Sequence, residues 1–406
     1  MYSLSSLYFT SIVLVIFLAF FGGSYALEVF GIQYVSEGGS ALYKIHLYSY
    51  VSLGVSLIYF LRSGLSKTSR DLGKLFKPWF FFLLSIVYLI MYGLVKFGTS
   101  GMAYVVDTLL VPVLIFPVLF TLSFKQIQNL AKMLFLLLCL NSGVAIYEYG
   151  AGIQVFPFEY EEHWVYFRST AFLSHPLNNA LIVSFLAIFL YQQRFINPVV
   201  LFLLVSLALF CFGARTATFF FIILSLFELF RFYKQRYQKN NGLGYREFLV
   251  IKLVILLGSA VIFYAVFYLN FGQRIFENIA LDGSARSRLD VFNIFQYLSF
   301  SEYIFGATSE IFENLSLYID NAVVENFVIG WFLFYGILGS LPIILCFYRF
   351  VFALFIAGGQ AEKFAILAFA LISISNNSLA SKTPALLFLL VSFAASVRFN
   401  DRMVGR

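Results

Sequence analysis

The chain has 406 residues, of which 61% are hydrophobic and 12% charged, with a net charge of +7. Soluble domains carry roughly 25% charged and about 45–50% apolar residues, so a soluble globule of this make-up could not cover its own surface. The Lys and Arg are spread over short loops rather than gathered in one patch, which argues against nucleic acid as a partner.

Apolar runs such as 80–91 and 133–140 do not alternate with polar residues. That excludes a membrane β-barrel and predicts an all-α polytopic protein whose helices cross a bilayer, each of roughly 20 residues. Spans are expected at about 5–28, 46–62, 78–96, 104–122, 132–149, 176–191, 197–212, 217–231, 250–269, 326–347, 364–377 and 385–398, about twelve in all. The first run has no basic segment before it and is long, so it reads as a retained helix rather than a signal peptide. The tract 350–358 reads as a surface or re-entrant piece. Three connections stand out: an outer loop at 150–175, rich in acids and aromatics; a basic cytoplasmic loop at 231–249; and a large outer loop at 270–325, between helices 9 and 10. No internal repeat and no separate soluble domain is visible, so residues 1–406 form a single transmembrane domain.

Cys139, Cys211 and Cys346 lie inside apolar runs, and His46, His163 and His175 lack ligand-like spacing. Neither a disulfide framework nor a metal site is expected. Basic residues set orientation. With the N-terminus cytoplasmic, only Lys44, Lys96, Arg168, Arg215, Arg274, Arg286, Arg288 and Lys382 of the 27 Lys and Arg fall outside. Both termini are then cytoplasmic and the number of spans is even.

Because the bias works against outer cations, each needs a reason. Arg168 lies in Arg168-Ser-Thr-Ala-Phe-Leu-Ser-His175-Pro176-Leu-Asn178-Asn179, just before a span. Arg215 lies in Gly213-Ala-Arg215-Thr216-Ala217, between two apolar runs. Arg274, Arg286 and Arg288 lie in the large loop. If they converge, they make a cationic pocket suited to a lipid-linked diphosphate, because guanidinium forks two donors onto phosphate. Plainer readings stand beside this one. Arg215 is alternatively a snorkelling residue, Arg286 and Arg288 pair with Asp282 or Asp290, Arg274 is a helix-end anchor, and Arg168 pairs with Glu159, Glu161 or Glu162. Glu325, in Val-Val-Glu325-Asn326-Phe where the large loop enters a span, suits a general base or a helix N-terminal acid satisfying the dipole.

Three pieces together resemble the bacterial O-antigen polymerase and ligase superfamily, the Wzy-like membrane glycosyltransferases. Arg168 through His175-Pro176-Leu-Asn178 is similar to the family's Arg…Gly-x-Phe…His-Pro-Asn, with Ala171 for Gly and Leu177 inserted. Ala214-Arg215-Thr216-Ala217 is similar to its Ser-Arg-Thr/Gly-Ala. Ser287-Arg288-Leu, Ile304-Phe305-Gly306, and Glu325-Asn326 followed after nine residues by Gly336-Ile-Leu-Gly339 resemble its large loop. The ligase branch has His where Glu325 stands, so the resemblance to that branch is the weaker one; a Glu can do the same proton chemistry, so glycosyl transfer itself is still implied.

The resemblance covers about 140–345. It implies a GT-C-like helical fold in a bacterial inner membrane. The activity implied is inverting, metal-independent transfer of a polyprenyl-diphosphate-linked glycan onto a lipid-linked repeat unit at the outer face. Glu325 would act as base, and Arg215 and Arg288 would hold the diphosphate. Arg168, Arg274, Arg286, His175, Asn178 and Asn326 would bind substrates. No cofactor is implied. The partners are polyprenyl-diphosphate-linked oligosaccharides, the bilayer and a chain-length regulator protein. Transfer to another acceptor, as in ligases, and polysaccharide transport remain as alternatives.

Overall fold

A computed structural model describes residues 4–35, 40–99, 101–157, 166–239, 291–308, 311 and 324–403. The expected span 250–269 and Arg274, Arg286 and Arg288 lie outside the described residues, as do Glu159, Glu161, Glu162 and His163.

Within the described residues the fold is helical and contains no strand. Helix α1 (Leu4–Phe21) leads through Gly22 and Gly23 to the short α2 (Ser24–Val29). Helices α3 (Leu47–Leu72) and α4 (Phe76–Phe97) follow, with a kink at Gly64. A π-helical turn, Val105–Leu110, runs into α5 (Val111–Leu119). Then come α6 (Phe124–Ala151), α7 (Pro176–Leu190), α8 (Pro198–Phe212) and α9 (Arg215–Lys239). After the short α10 (Phe300–Phe305) the chain ends in α11 (Phe327–Ala357), α12 (Gln360–Ile374) and α13 (Ala385–Met403).

Helices cover the expected spans that fall among the described residues, the first as two pieces broken at Gly22 and Gly23, and several extents differ, as where α3 runs past 62 to Leu72. Helix α6 starts well before 132, because Ser123 and Gln126 close a capping box in which each side chain bonds the other's backbone N–H. Residues 231–239, expected as loop, continue α9; they carry no Gly or Pro to stop it. The tract 350–358 is no separate surface piece, since α11 runs through it to Ala357.

Five helical stretches are long and apolar enough to cross a bilayer: Leu4–Phe21, Leu47–Phe97, Phe124–Ala151, Arg215–Gln235 and Phe327–Ala357. They turn large apolar side chains outward, among them Phe17, Leu61, Val95, Leu136, Phe230 and Ile356. Contiguous exposed apolar surface of this kind fits lipid as the surrounding solvent. Helix α7 is instead buried along nearly all its length, packed among α6, α8, α9, α12 and α13. At 15 residues it is about 22 Å long, shorter than the hydrocarbon core, and protein rather than lipid surrounds it. Helix α4 packs along α11, and α3 along α1 and α5.

The bundle has two chemically different ends. One carries Lys67, Lys74, Lys125, Arg194, Arg231 and Lys363, and the start of α1 is tied there to the start of α6 through Ser5 and Gln126. At this end Arg231 pairs with Glu228, and Ser396 donates to the buried Glu362. The other end is a mesh of hydrogen-bonded loops and helix starts, and it holds the candidate residues that are described.

Candidate functional site

Glu148, on the last turn of α6, is fully buried. Its carboxylate accepts from the Ser169 hydroxyl and from the N–H groups of Thr170 at 3.0 Å, Ala171 at 2.9 Å and Val155 at 2.8 Å. A buried carboxylate is tolerable where donors satisfy it, and here the donors fold residues 168–171 across the end of α6. Two asparagines fix the next stretch. Asn141 Nδ2 donates to Asn179 Oδ1 at 2.9 Å, and Asn141 Oδ1 accepts the Phe172 N–H at 3.2 Å. Asn179 Nδ2 reaches the Thr170 carbonyl at 2.6 Å. The backbone bends sharply there, with φ of +41° at Ala171 and +64° at Ser174. His175 then caps α7, its Nδ1 accepting the Leu177 N–H at 3.2 Å.

This segment brings Arg168 to the turn that carries Arg215. The Ser169 N–H bonds the Cys211 carbonyl at 3.1 Å, and Arg168 Nε donates to the Phe212 carbonyl at 3.0 Å. Arg168 is buried and Arg215, the first residue of α9, is half-buried. A guanidinium on the last carbonyls of α8 is favourable in its own right. The same placement sets two cations from distant sequence at one helix turn.

Glu325 is half-buried, two residues before the first residue of α11. Asn326 is the cap of α11, its Oδ1 accepting the N–H groups of Val328 at 2.9 Å and Ile329 at 3.2 Å. Further along, Gly336 breaks α11 with φ +63° and ψ −173°. A Cβ on it would collide with the Ile304 carbonyl and the Gly306 nitrogen, and one on Gly306 would collide with the Phe334 carbonyl. The Ile304-Phe305-Gly306 and Gly336 pieces therefore meet backbone to backbone. The break exposes carbonyls of α11 to outside donors: Ala307 N–H takes Leu333 O at 2.7 Å, and Lys96 Nζ takes Phe334 O at 2.9 Å. Lys96 also donates to the carbonyls of Phe305 at 2.7 Å and Ala307 at 3.1 Å.

Glu302 closes the same corner. Burial alone would raise its pKa, but donors from Ser299 and Thr308 outweigh that and hold its carboxyl down at about 2.

Another buried carboxylate, Asp107 in the π turn, accepts from Ser49 Oγ at 2.6 Å, Tyr34 OH at 3.1 Å and the His46 N–H at 3.0 Å. Beside it, Lys382 donates to the Tyr34 carbonyl at 2.6 Å and lies 3.9 Å over that ring. Burial lowers the Lys382 ammonium to about 8, with Lys44 adding to the effect and Asp107 and Glu28 opposing it. No group of three or more His, Cys, Asp and Glu side chains among the described residues is arranged as a metal site.

Arg168, His175, Asn178, Arg215, Glu325 and Asn326 thus all lie at the polar end. Arg168 bonds the end of α8, just before the turn into α9 that Arg215 begins, while His175 and Asn326 act as helix caps. Asn178 accepts a hydrogen bond from Ser378 at 2.7 Å. Sequence reading missed Asn141, Asn179, Asp107 and Ser378. Their signal was weak but present, as polar residues in or beside apolar runs. No family model matches the chain, and no curated protein matches it.

Proposed function

We propose that this chain is a membrane glycosyltransferase of the polysaccharide polymerase kind. It would transfer a glycan from polyprenyl diphosphate to a hydroxyl of a lipid-linked repeat unit at the outer face of a bacterial inner membrane. One observation carries the reading: Arg168 reaches the turn that presents Arg215, at the same polar end as Glu325. Support also comes from Ala171, which takes a left-handed conformation where the resembled pattern has glycine, and from the contact of Gly306 with Gly336.

In this reading Glu325 accepts the proton of the acceptor hydroxyl. That oxygen bonds the anomeric carbon of the donor while the carbon–oxygen bond to the diphosphate breaks, inverting the centre. Polyprenyl diphosphate leaves with the electron pair, and Arg215 and Arg288 stabilise its growing charge. Arg288 belongs to the part of the large loop outside the described residues. The donor is already activated, so the step needs no nucleotide.

The test is extension of a polyprenyl-diphosphate-linked repeat unit by the full chain in proteoliposomes. Wild-type protein yields polymer. Glu325→Ala slows extension by roughly 10²–10⁴-fold and leaves single repeats unextended, while remaining monodisperse in detergent. Normal polymer from that variant removes Glu325 as the base. Transfer by the wild type to a different acceptor replaces the polymerase reading with a ligase one, and movement of the lipid across the bilayer without bond formation replaces it with transport.

A further inference from the structure

The loop at 375–384, between α12 and α13, is bonded to several surrounding parts of the polar end. Ser378 Oγ donates to Asn178 Oδ1 at 2.7 Å, on the first turn of α7. The Asn376 carbonyl accepts the N–H of Phe327, the first residue of α11, at 3.2 Å. Asn376 Oδ1 accepts the Ser378 N–H at 3.0 Å, making these two residues one rigid turn. The Ser381 carbonyl and the Thr383 N–H both bond the Thr108 hydroxyl, at 2.7 Å and 3.0 Å, and Lys382 is fixed on Tyr34. Asn376, Ser378 and Thr383 are buried. A loop so pinned is a spacer: it transmits the position of the α7 start to the α11 start through two hydrogen bonds.

We propose that Ser378 is a positioning residue, which through Asn178 and the Asn376 turn sets where the start of α11, and with it Glu325, stands relative to the His175 to Asn178 segment. Its effect on catalysis rests on the polymerase reading; the mechanical link between the two helix starts does not. The mechanism is geometric, since displacement of a reacting group by about an ångström costs up to roughly a hundredfold in rate while leaving binding largely intact.

Ser378→Ala, Asn178→Ala and the double variant separate the possibilities. Extension kinetics in proteoliposomes give kcat and KM, and hydrogen exchange of the peptide containing Phe327 reports on the α11 start without any activity. Ser378→Ala is expected to lower kcat roughly tenfold or more with KM within about twofold of wild type. The double variant should be no slower than the slower single, because one bond is lost in both. The Phe327 amide should exchange about fivefold faster. Wild-type kcat in Ser378→Ala, or kcat losses that multiply in the double variant, overturn the positioning role. If the wild type transfers no sugar, the polymerase reading falls on its own. Exchange then decides the mechanical link: faster at Phe327 upholds it, and unchanged exchange ends it.

Discussion

Ala171 combines a left-handed backbone with a fully buried methyl group, and the two features set what the position tolerates. A left-handed φ costs an L-residue roughly 1–2 kcal/mol, which Ala171→Gly would relieve. Lost chain entropy and one missing buried methyl oppose that by about the same amount, so this change should stay within about 1 kcal/mol of wild type. Ala171→Val adds a β-branch that cannot relax at positive φ and overpacks a filled site, and it should cost about 3 kcal/mol or more. Thermal unfolding in detergent measures both, and a Val variant as stable as the Gly variant would show that the backbone is not left-handed there. Single side chains were legible in sequence to the extent that their role is local. The outer cations announced themselves by opposing the charge bias, and Glu325 by standing where the large loop enters an apolar span. Arg168 has a partner that its sequence neighbourhood did not announce, the Phe212 carbonyl, while the nearby acids Glu159, Glu161 and Glu162 lie outside the described residues. Asn141, Asn179 and Ser378 each also bond a residue dozens to hundreds of positions away, and a one-dimensional pattern does not hold that information.

Helix existence was readable from apolar runs; helix ends were readable only where a capping signature was noticed. Ser123 and Gln126 form such a signature and move the start of α6 ahead of its apolar run. The kink in α11 was not readable as a kink, because Gly336 and Gly339 equally suit close helix packing, and Gly339 does sit against Tyr92 of α4. What makes Gly336 a break is its partner, the Phe305 to Ala307 corner, held by three carbonyl bonds from one ammonium. All three Lys96 donors are used, so Lys96→Met removes the clamp without leaving a charge behind. Bonds from a charged donor contribute about 1.5–3 kcal/mol each when protected, and Lys96 is half-exposed, so the whole clamp should be worth about 2 kcal/mol. The loss should be local. Hydrogen exchange should rise over residues 299–308 and at the α11 break, while α7 stays protected. Uniform loss of protection across the bundle, or none anywhere, would mean that Lys96 does not hold this corner.

At the scale of the whole molecule, the two ends differ in the chemistry that decides orientation. The described end with Lys67, Lys74, Lys125, Arg194, Arg231 and Lys363 is the one that the positive-inside rule would place in the cytoplasm. The opposite end retains only Lys44, Lys96, Arg168, Arg215 and Lys382 among the described basic residues, and it buries Asp107 and Glu148. Lys96, Arg168 and Lys382 each grip a backbone carbonyl there, so these cations build the end itself, a reason for them to stand where the bias would otherwise disfavour them. The polymerase reading needs that end outside, since its donor and acceptor are presented at the outer leaflet. Ser40 and Lys74 are exposed at opposite ends. With Cys139, Cys211 and Cys346 replaced by Ala, Ser40→Cys should react with a membrane-impermeant maleimide on spheroplasts. Lys74→Cys should react only after the membrane is opened. The reverse pattern would put Glu325 and both described arginines in the cytoplasm, where an outer-leaflet diphosphate cannot reach them. It would remove the proposed reaction whatever the fold of the site.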